Sequence, residues 1–254
     1  FRGSIQKMQE IAQQINQEQN LLNVEDSIVP VKEIFRLQDD KELAMAEEQY
    51  LSPKTGNQRS AIILAATRGD QLGELTEFIP KTMIKIGKKS ILERAVEHLN
   101  EHHIKNIMVV AGYKKEKINL PNLNVIANDD YKLTGEMVSL TKAIDTTREE
   151  CVILFGDVLF KKYVLSIMLD DPSDIVIIVD SVFSLEKKYQ SDFVHASPME
   201  GKSPFPEDNF YLEKIVYDQP GTEYYGEWPG MVKLTTKGLE IVKAFIQEFR
   251  NKQE

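Results

Sequence analysis

The chain has 254 residues, 42% of them hydrophobic, and a net charge of −9. That is enough apolar material for the core of one large domain, with room for an appendage. The acidic balance argues against a general affinity for nucleic acid or an anionic membrane surface, so an anionic ligand must be met by locally placed cations or a metal.

The single cysteine, Cys151, excludes an internal disulfide. Inside the apolar run Cys151-Val152-Ile153-Leu154-Phe155 it reads as a buried, inert thiol suited to a reducing cytoplasm. No apolar stretch is long enough to cross a bilayer, and the first residues lack the charged-then-apolar pattern of a signal peptide. Because residue 1 is Phe rather than Met, the sequence is expected to begin inside something longer.

Residues 1–58 differ in character from the rest. Ile5, Met8, Ile11 and Ile15 fall on one helical stripe among Gln and Glu, and Leu43-Ala44-Met45-Ala46 begins a second helical pattern. Neither helix can bury its stripe alone. From the pattern alone a helical hairpin leaning on the next domain would cover it; the resemblance given below implies instead that the stripe packs on a neighbouring enzyme or a dimer partner, making a homo-oligomer through residues 1–51. Ser52-Pro53-Lys54-Thr55-Gly56-Asn57 has linker composition and marks the boundary, so the second domain is expected over 59–254.

From residue 60 onward, short Val- and Ile-rich runs alternate with helical patterns. The spacing predicts strands near 61–66, 106–111, 123–127, 151–156 and 174–180, and helices near 90–103, 135–147 and 160–170. This alternation predicts an α/β fold, a Rossmann-like, mostly parallel sheet with helices on both faces and ligands held beyond the carboxyl ends of the strands. Residues 193–196, 211–217 and 230–234 read as later, partly antiparallel strands, and a final helix runs from Thr236 to about Arg250.

Four stretches could carry chemistry. After the first strand, Ala65-Ala66-Thr67-Arg68-Gly69-Asp70-Gln71-Leu72-Gly73 leads to Pro80-Lys81. Gly69 and Gly73 let a backbone bend round phosphate, and Arg68 and Lys81 offer cations. There is no G-x-G-x-x-G and no G-x-x-x-x-G-K-[ST], and an ordinary loop with solvated charges fits the spacing equally well. Phe155-Gly156-Asp157 puts a carboxylate where a buried strand opens onto the ligand face, which suits Mg²⁺ shared with phosphate oxygens; the alternative is a cap for the helix near Phe160. Thr134-Gly135-Glu136-Met137-Val138-Ser139 places a glycine and a hydroxyl where a base edge could be read, unless Thr134 merely caps the helix. Finally, Glu227-Trp228 sets a carboxylate beside the chain's only tryptophan, which suits either an ammonium group or a structural plug. Asp180 and Asp192 are weaker candidates, and the four histidines show no metal-ligand spacing.

Taken together, Leu64-Ala65-Ala66 through Pro80-Lys81, Gly112-Tyr113-Lys114, Asn128-Asp129, Ser139-Leu140 and Gly156-Asp157 resemble the nucleotidyltransferase superfamily. Within it, Arg68-Gly69, Thr134-Gly135-Glu136, Asp192-Phe193-Val194 and Gly226-Glu227-Trp228 look like the cytidylyltransferases of phosphonate biosynthesis, often fused behind phosphoenolpyruvate mutase. Residues 1–51 are similar to the carboxyl-terminal end of that mutase. The resemblance implies a nucleotide-diphospho-sugar transferase type of fold and transfer of CMP from CTP to 2-aminoethylphosphonate, with Mg²⁺ as cofactor and pyrophosphate released. It implies that Lys81, Arg68 and Asp157 are catalytic, Asp157 also holding the metal, and that Ala65, Ala66, Thr67, Gly69, Gly135 and Ser139 bind nucleotide. It further implies that Asp192, Glu227 and Trp228 bind the acceptor. Phosphocholine is the alternative acceptor; a sugar 1-phosphate transferase and a catalytically incomplete binding or assembly module are further readings. The sequence departs from the superfamily pattern at Thr67, where Gly is usual, and at Gln71, where Arg is usual. A second metal carboxylate is expected beyond Glu254, or else at Asp180 or Glu227.

Overall fold

The computed structural model describes residues 59–182, 192–197, 210–217 and 224–251. The expectations for residues 1–58, the mutase likeness and self-association among them, lie outside the described residues.

Strand β1 (Arg59–Ala65) is buried on both faces, as a run of Ser-Ala-Ile-Ile-Leu-Ala requires. It lies at the centre of a six-stranded sheet of order β5-β4-β1-β6-β11-β7. The parallel members are β4 (Asn106–Ala111), β5 (Asn124–Ala127) and β6 (Glu150–Phe155), with β1 hydrogen-bonded to β4 on one side and β6 on the other. At the far edge, β11 (Met231–Leu234) runs antiparallel between β6 and β7 (Ile175–Ile177). A hairpin of β2 (Lys85–Ile86) and β3 (Lys89–Ser90), turned at Gly87 with φ 71°, precedes the first helix and has no counterpart in the sequence reading.

Side chains leave the sheet alternately on its two faces. Ala61, Ile63 and Ala65 meet Leu92, Ala95 and Leu99 of α1 (Ile91–Glu101) and Leu165 and Met168 of α3 (Lys162–Asp170). Ile62 and Leu64 meet Met137 and Leu140 of α2 (Glu136–Thr141) and Leu239, Val242 and Ile246 of α4 (Thr236–Asn251). This second core extends into a three-stranded sheet, β10 (Gly226–Glu227), β8 (Asp192–Ser197) and β9 (Tyr211–Tyr217), through Val194, Ile215 and Trp228. Helix α1 opens with a capping box: Ser90 Oγ accepts from Glu93 N–H at 3.1 Å, and Glu93 returns a carboxylate oxygen to Ser90 N–H. Those bonds hold the Glu93 carboxyl below its usual range.

The predicted helix over 135–147 stops at Thr141, followed by a 3₁₀ turn at Ile144–Thr146. Competing donors explain the break. Thr141 Oγ1 donates to the Val138 carbonyl at 2.7 Å, Thr146 Oγ1 to that of Ala143 at 2.7 Å, and Arg250 Nη2 to that of Thr141 at 2.8 Å. No helix among the described residues is long and apolar enough to cross a membrane.

Candidate active site

The carboxyl ends of β1 and β6 and the start of α2 form a cleft open to solvent. Ala65, Ala66, Thr67, Lys81, Thr82, Thr134, Gly135, Glu136, Ser139, Gly156 and Asp157 are among the residues that line it. Seven of the residues singled out from sequence, Ala65, Ala66, Thr67, Lys81, Gly135, Ser139 and Asp157, therefore share one concavity.

Each arrives for a local reason. Gly156 follows β6 and donates its N–H to the Leu64 carbonyl at 2.8 Å. A Cβ there would stand 2.7 Å from that of Ala65, so only glycine lets the chain pass and deliver Asp157 beside Ala65 and Ala66. Asp157 caps no helix: α3 begins at Lys162 with Lys161 as its cap. The loop from Thr67 to Pro80 turns at Gly69, φ 77°, and at Gly73, φ 54°, and Thr76 Oγ1 donates to both glycine carbonyls at 3.3 Å. Extended Pro80 then starts the 3₁₀ turn Lys81–Met83, which sends Lys81 and Thr82 into the cleft. There the Lys81 ammonium donates to Asp157 Oδ2.

Gly69 serves this pair in a way its sequence context did not suggest. A Cβ on Gly69 would lie 2.8 Å from Lys81 Cδ, so the residue leaves room for the lysine stem. Gly135 has nothing of the chain within 4 Å of where a Cβ would be, and the space it leaves belongs to the cleft.

Three expectations change. Arg68 does not line the cleft: Nη2 donates to the Gly73 carbonyl at 3.4 Å, Nε lies 3.4 Å from Asp70 Oδ1, and the guanidinium sits 5.5 Å above the Tyr113 ring. It braces its own loop. Trp228 is 3% exposed, packs against Phe155 with centroids 5.4 Å apart, and donates Nε1–H to the Met231 carbonyl at 3.2 Å. Its face is core, because Phe155 of β6, remote in sequence, packs against it. Glu227 and Asp180 exchange backbone hydrogen bonds at 2.8 and 3.0 Å, Asp180 Oδ1 accepts from Val182 N–H, and Asp192 is buried at the start of β8; none of the three lines the cleft.

Two residues were given no role in the site by the sequence reading. Thr82, 2% exposed, lines the cleft, and its buried Oγ1 has no hydrogen-bond partner among the described residues. Its position directly after Pro80-Lys81 was the available signal. Asn128 is fully buried behind Thr134 and Ser139, and its Nδ2 donates to both hydroxyls, at 3.1 and 3.0 Å.

The donor set suits a hard divalent cation held jointly with a ligand. Mg²⁺ is commonly bound through one or two carboxylates plus substrate phosphates, and Asp157 supplies one carboxylate to the cleft. No cluster of three His, Cys, Asp or Glu side chains able to hold a metal alone occurs among the described residues.

Residues 61–183 match the MobA-like NTP transferase domain. Over that stretch, a little under half of its length, the chain is similar to a nucleotidyltransferase domain. GlmU, described as a bifunctional protein, from Methanococcus maripaludis is 37% identical over 106 residues, 40% of this chain and 25% of that protein. Choline-phosphate cytidylyltransferase from Streptococcus pneumoniae is 31% identical over 105 residues, 40% of this chain and 46% of that protein. The matched region thus spans from a quarter to under half the length of these curated relatives. Among solved structures, the CTP:phosphocholine cytidylyltransferase of S. pneumoniae superposes with a TM-score of 0.58 at 20% identity, covering 78% of this chain and 79% of that one. The inositol-1-phosphate CTP transferase of T. maritima gives 0.57 at 19% identity, covering 74% and 75%. The mostly parallel sheet with its flanking helices is that of the nucleotide-diphospho-sugar transferase neighbours.

Proposed function

We propose that this nucleotidyltransferase is a Mg²⁺-dependent cytidylyltransferase that moves CMP from CTP to a small zwitterionic phosphonate, 2-aminoethylphosphonate, and releases pyrophosphate. The observation that carries the reading is the convergence of Lys81 and Asp157 on the cleft between β1, β6 and α2. The CTP-using relatives support the cytidylyl group, and the phosphonate acceptor rests on the sequence resemblance.

In-line attack of a phosphonate oxygen on the α-phosphorus needs positioning and charge neutralisation, with no protein nucleophile. Asp157 would hold Mg²⁺, whose chemistry is to neutralise charge on the triphosphate. Lys81, freed from Asp157, would place its ammonium on the non-bridging oxygens that gain charge in the transition state. Thr67 and the Ala65-Ala66 backbone would line the triphosphate, with Arg68 acting through the loop it braces. Gly135 and Ser139 would border the base. For the ammonium end of the acceptor, Glu136 is the remaining carboxylate in the cleft lining, a role that the buried Trp228 is poorly placed to fill.

Phosphocholine is the second reading, favoured by the 31% identity to choline-phosphate cytidylyltransferase. The test is pyrophosphate release with each of the four nucleoside triphosphates against aminoethylphosphonate, phosphocholine and glucose 1-phosphate, with and without Mg²⁺. CTP-specific release with aminoethylphosphonate supports the proposal; preference for phosphocholine or glucose 1-phosphate moves the acceptor, and no release with any pair rejects it.

A further inference from the structure

Donor and acceptor roles around Asn128 can be assigned one proton at a time. Thr134 Oγ1 gives its proton to the Asp130 carbonyl at 3.0 Å, so toward Asn128 it can only accept. That decides the amide's orientation: Nδ2, not Oδ1, faces Thr134 at 3.1 Å. The second Nδ2 proton goes to Ser139 Oγ at 3.0 Å. Ser139 is thereby an acceptor on its inner side. Its own hydroxyl proton goes to no group among the described residues, while the side chain lines the cleft. The arrangement leaves Asn128 Oδ1 buried without a donor among the described residues, so the two hydroxyls and not the needs of Oδ1 set the amide.

We propose that Asn128 is a specificity-determining positioning residue: by spending its amide protons on Thr134 and Ser139 it fixes Ser139 as a hydrogen-bond donor to the base of the bound nucleotide. A donor at N3 suits cytosine, where N3 is an acceptor, and not uracil, where N3 carries a proton; at O2 the two bases are alike. The inference rests on the cytidylyltransferase reading and adds how that site chooses cytosine. Sequence pattern alone does not reveal it, because the relay joins the end of β5 to the second turn of α2 through a buried amide.

The test is equilibrium binding of CTP and UTP, with Mg²⁺ at pH 8, to the full chain and two variants. The wild-type chain is expected to bind CTP about tenfold tighter than UTP, the value of one well-made hydrogen bond. In Asn128→Asp the carboxylate takes the Ser139 proton, Ser139 turns its lone pairs to the base, and the CTP:UTP ratio falls to one or reverses. Ser139→Ala should bring the ratio near one while lowering the melting temperature by a few degrees, because the buried Asn128 amide loses one acceptor, and it decides the matter if Asn128→Asp does not fold. A folded Asn128→Asp or Ser139→Ala that keeps the wild-type ratio overturns the proposal. So does triphosphate binding by the wild type without base preference, which leaves the nucleotidyltransferase reading standing. If the wild type binds neither nucleotide, the cytidylyltransferase reading fails and this inference with it.

Discussion

Lys81 and Asp157, 76 positions apart in the chain, join ammonium to carboxylate within the cleft at the carboxyl ends of β1 and β6. Both side chains are about a third exposed, 29% and 36%, and a pair so open to water adds little to stability. The two loops that carry it are shaped for the meeting all the same. Gly156 admits the chain past Ala65, and Gly69 makes way for the lysine stem. A contact of small stabilising value with this much local accommodation is better explained by chemistry than by folding.

Lys81→Ala and Asp157→Asn are each expected to lower kcat/KM for pyrophosphate release by about 10²- to 10³-fold, the scale of losing one charge stabiliser in a transition state. The double variant should fall well short of the product of the two losses, since the proposed roles put both groups on the same transferring phosphoryl. Melting temperatures should move by only a few degrees in each case. An equal loss of stability and activity would mark the pair as structural.

Gly69→Ala tests the accommodation. The residue would have to hold φ near 77°, a conformation that costs a residue with a Cβ about 1 kcal/mol, and it would push on Lys81 Cδ. Steady-state kinetics should show a drop in kcat of about 10- to 100-fold from displacing the ammonium. Gly73→Ala is the control: φ is also positive at 54°, but no atom lies within 4 Å of its Cβ position. With ψ −121° the residue lies outside the left-handed helical region that Gly69 occupies, so the substitution should cost more stability than Gly69→Ala while sparing kcat.

Much of this site was legible in the sequence because β1 and β6 are apolar runs buried on both faces, and such runs announce central parallel strands whose ends are where ligands sit. Once those ends are known, Asp157 and the Ala65-Ala66 backbone follow. What could not be read is which side of a loop a long side chain takes. Arg68 is adjacent to cleft-lining Thr67, yet turns toward Tyr113, a residue supplied by the loop after β4. Trp228 could be read either as an ammonium-binding face or as a structural plug, and the choice falls to the plug because Phe155 comes from a strand far away in the chain to pack against it. Asn128 was visible as part of a motif, while its hydrogen-bonding role depends on three partners that only the fold assembles.

Trp228→Ala separates the two roles once open for this residue. As a core side chain it should cost about 3–5 kcal/mol on truncation, read as a drop in denaturant midpoint. At temperatures where the variant is folded, KM for the acceptor should match wild type. A raised acceptor KM with little change in stability would return the indole to the binding site.

Asp174 ties the start of β7 to the start of α4. Burial pushes its carboxyl up, but the Thr235 hydroxyl at 2.7 Å and the Lys237 ammonium at 3.0 Å outweigh this and leave it below its usual range. A carboxyl depressed in the folded state contributes stability that is full above its unfolded pKa, about 4, and is lost as pH falls through the folded value. Asp174→Asn should therefore reduce stability at pH 7 by about 0.5–1.5 kcal/mol, reflecting mainly the Thr235 bond because the Lys237 partner is solvent-screened. The wild-type and variant urea curves should converge as pH drops from 4 toward 2.

Cys151 sits fully buried at the start of β6, and burial pushes its thiol up to about 12 despite nearby Ser60 and Thr147 hydroxyls. The thiolate is the reacting form, so a native Cys151 should resist a disulfide exchange reagent at pH 8. Reaction should instead track unfolding, its rate rising with urea in step with loss of circular dichroism. Fast labelling of the native chain would mean that β6 opens locally at its Glu150 end. Because Arg59 holds Glu150 there at 2.5 Å, Arg59→Ala is the variant expected to speed labelling first.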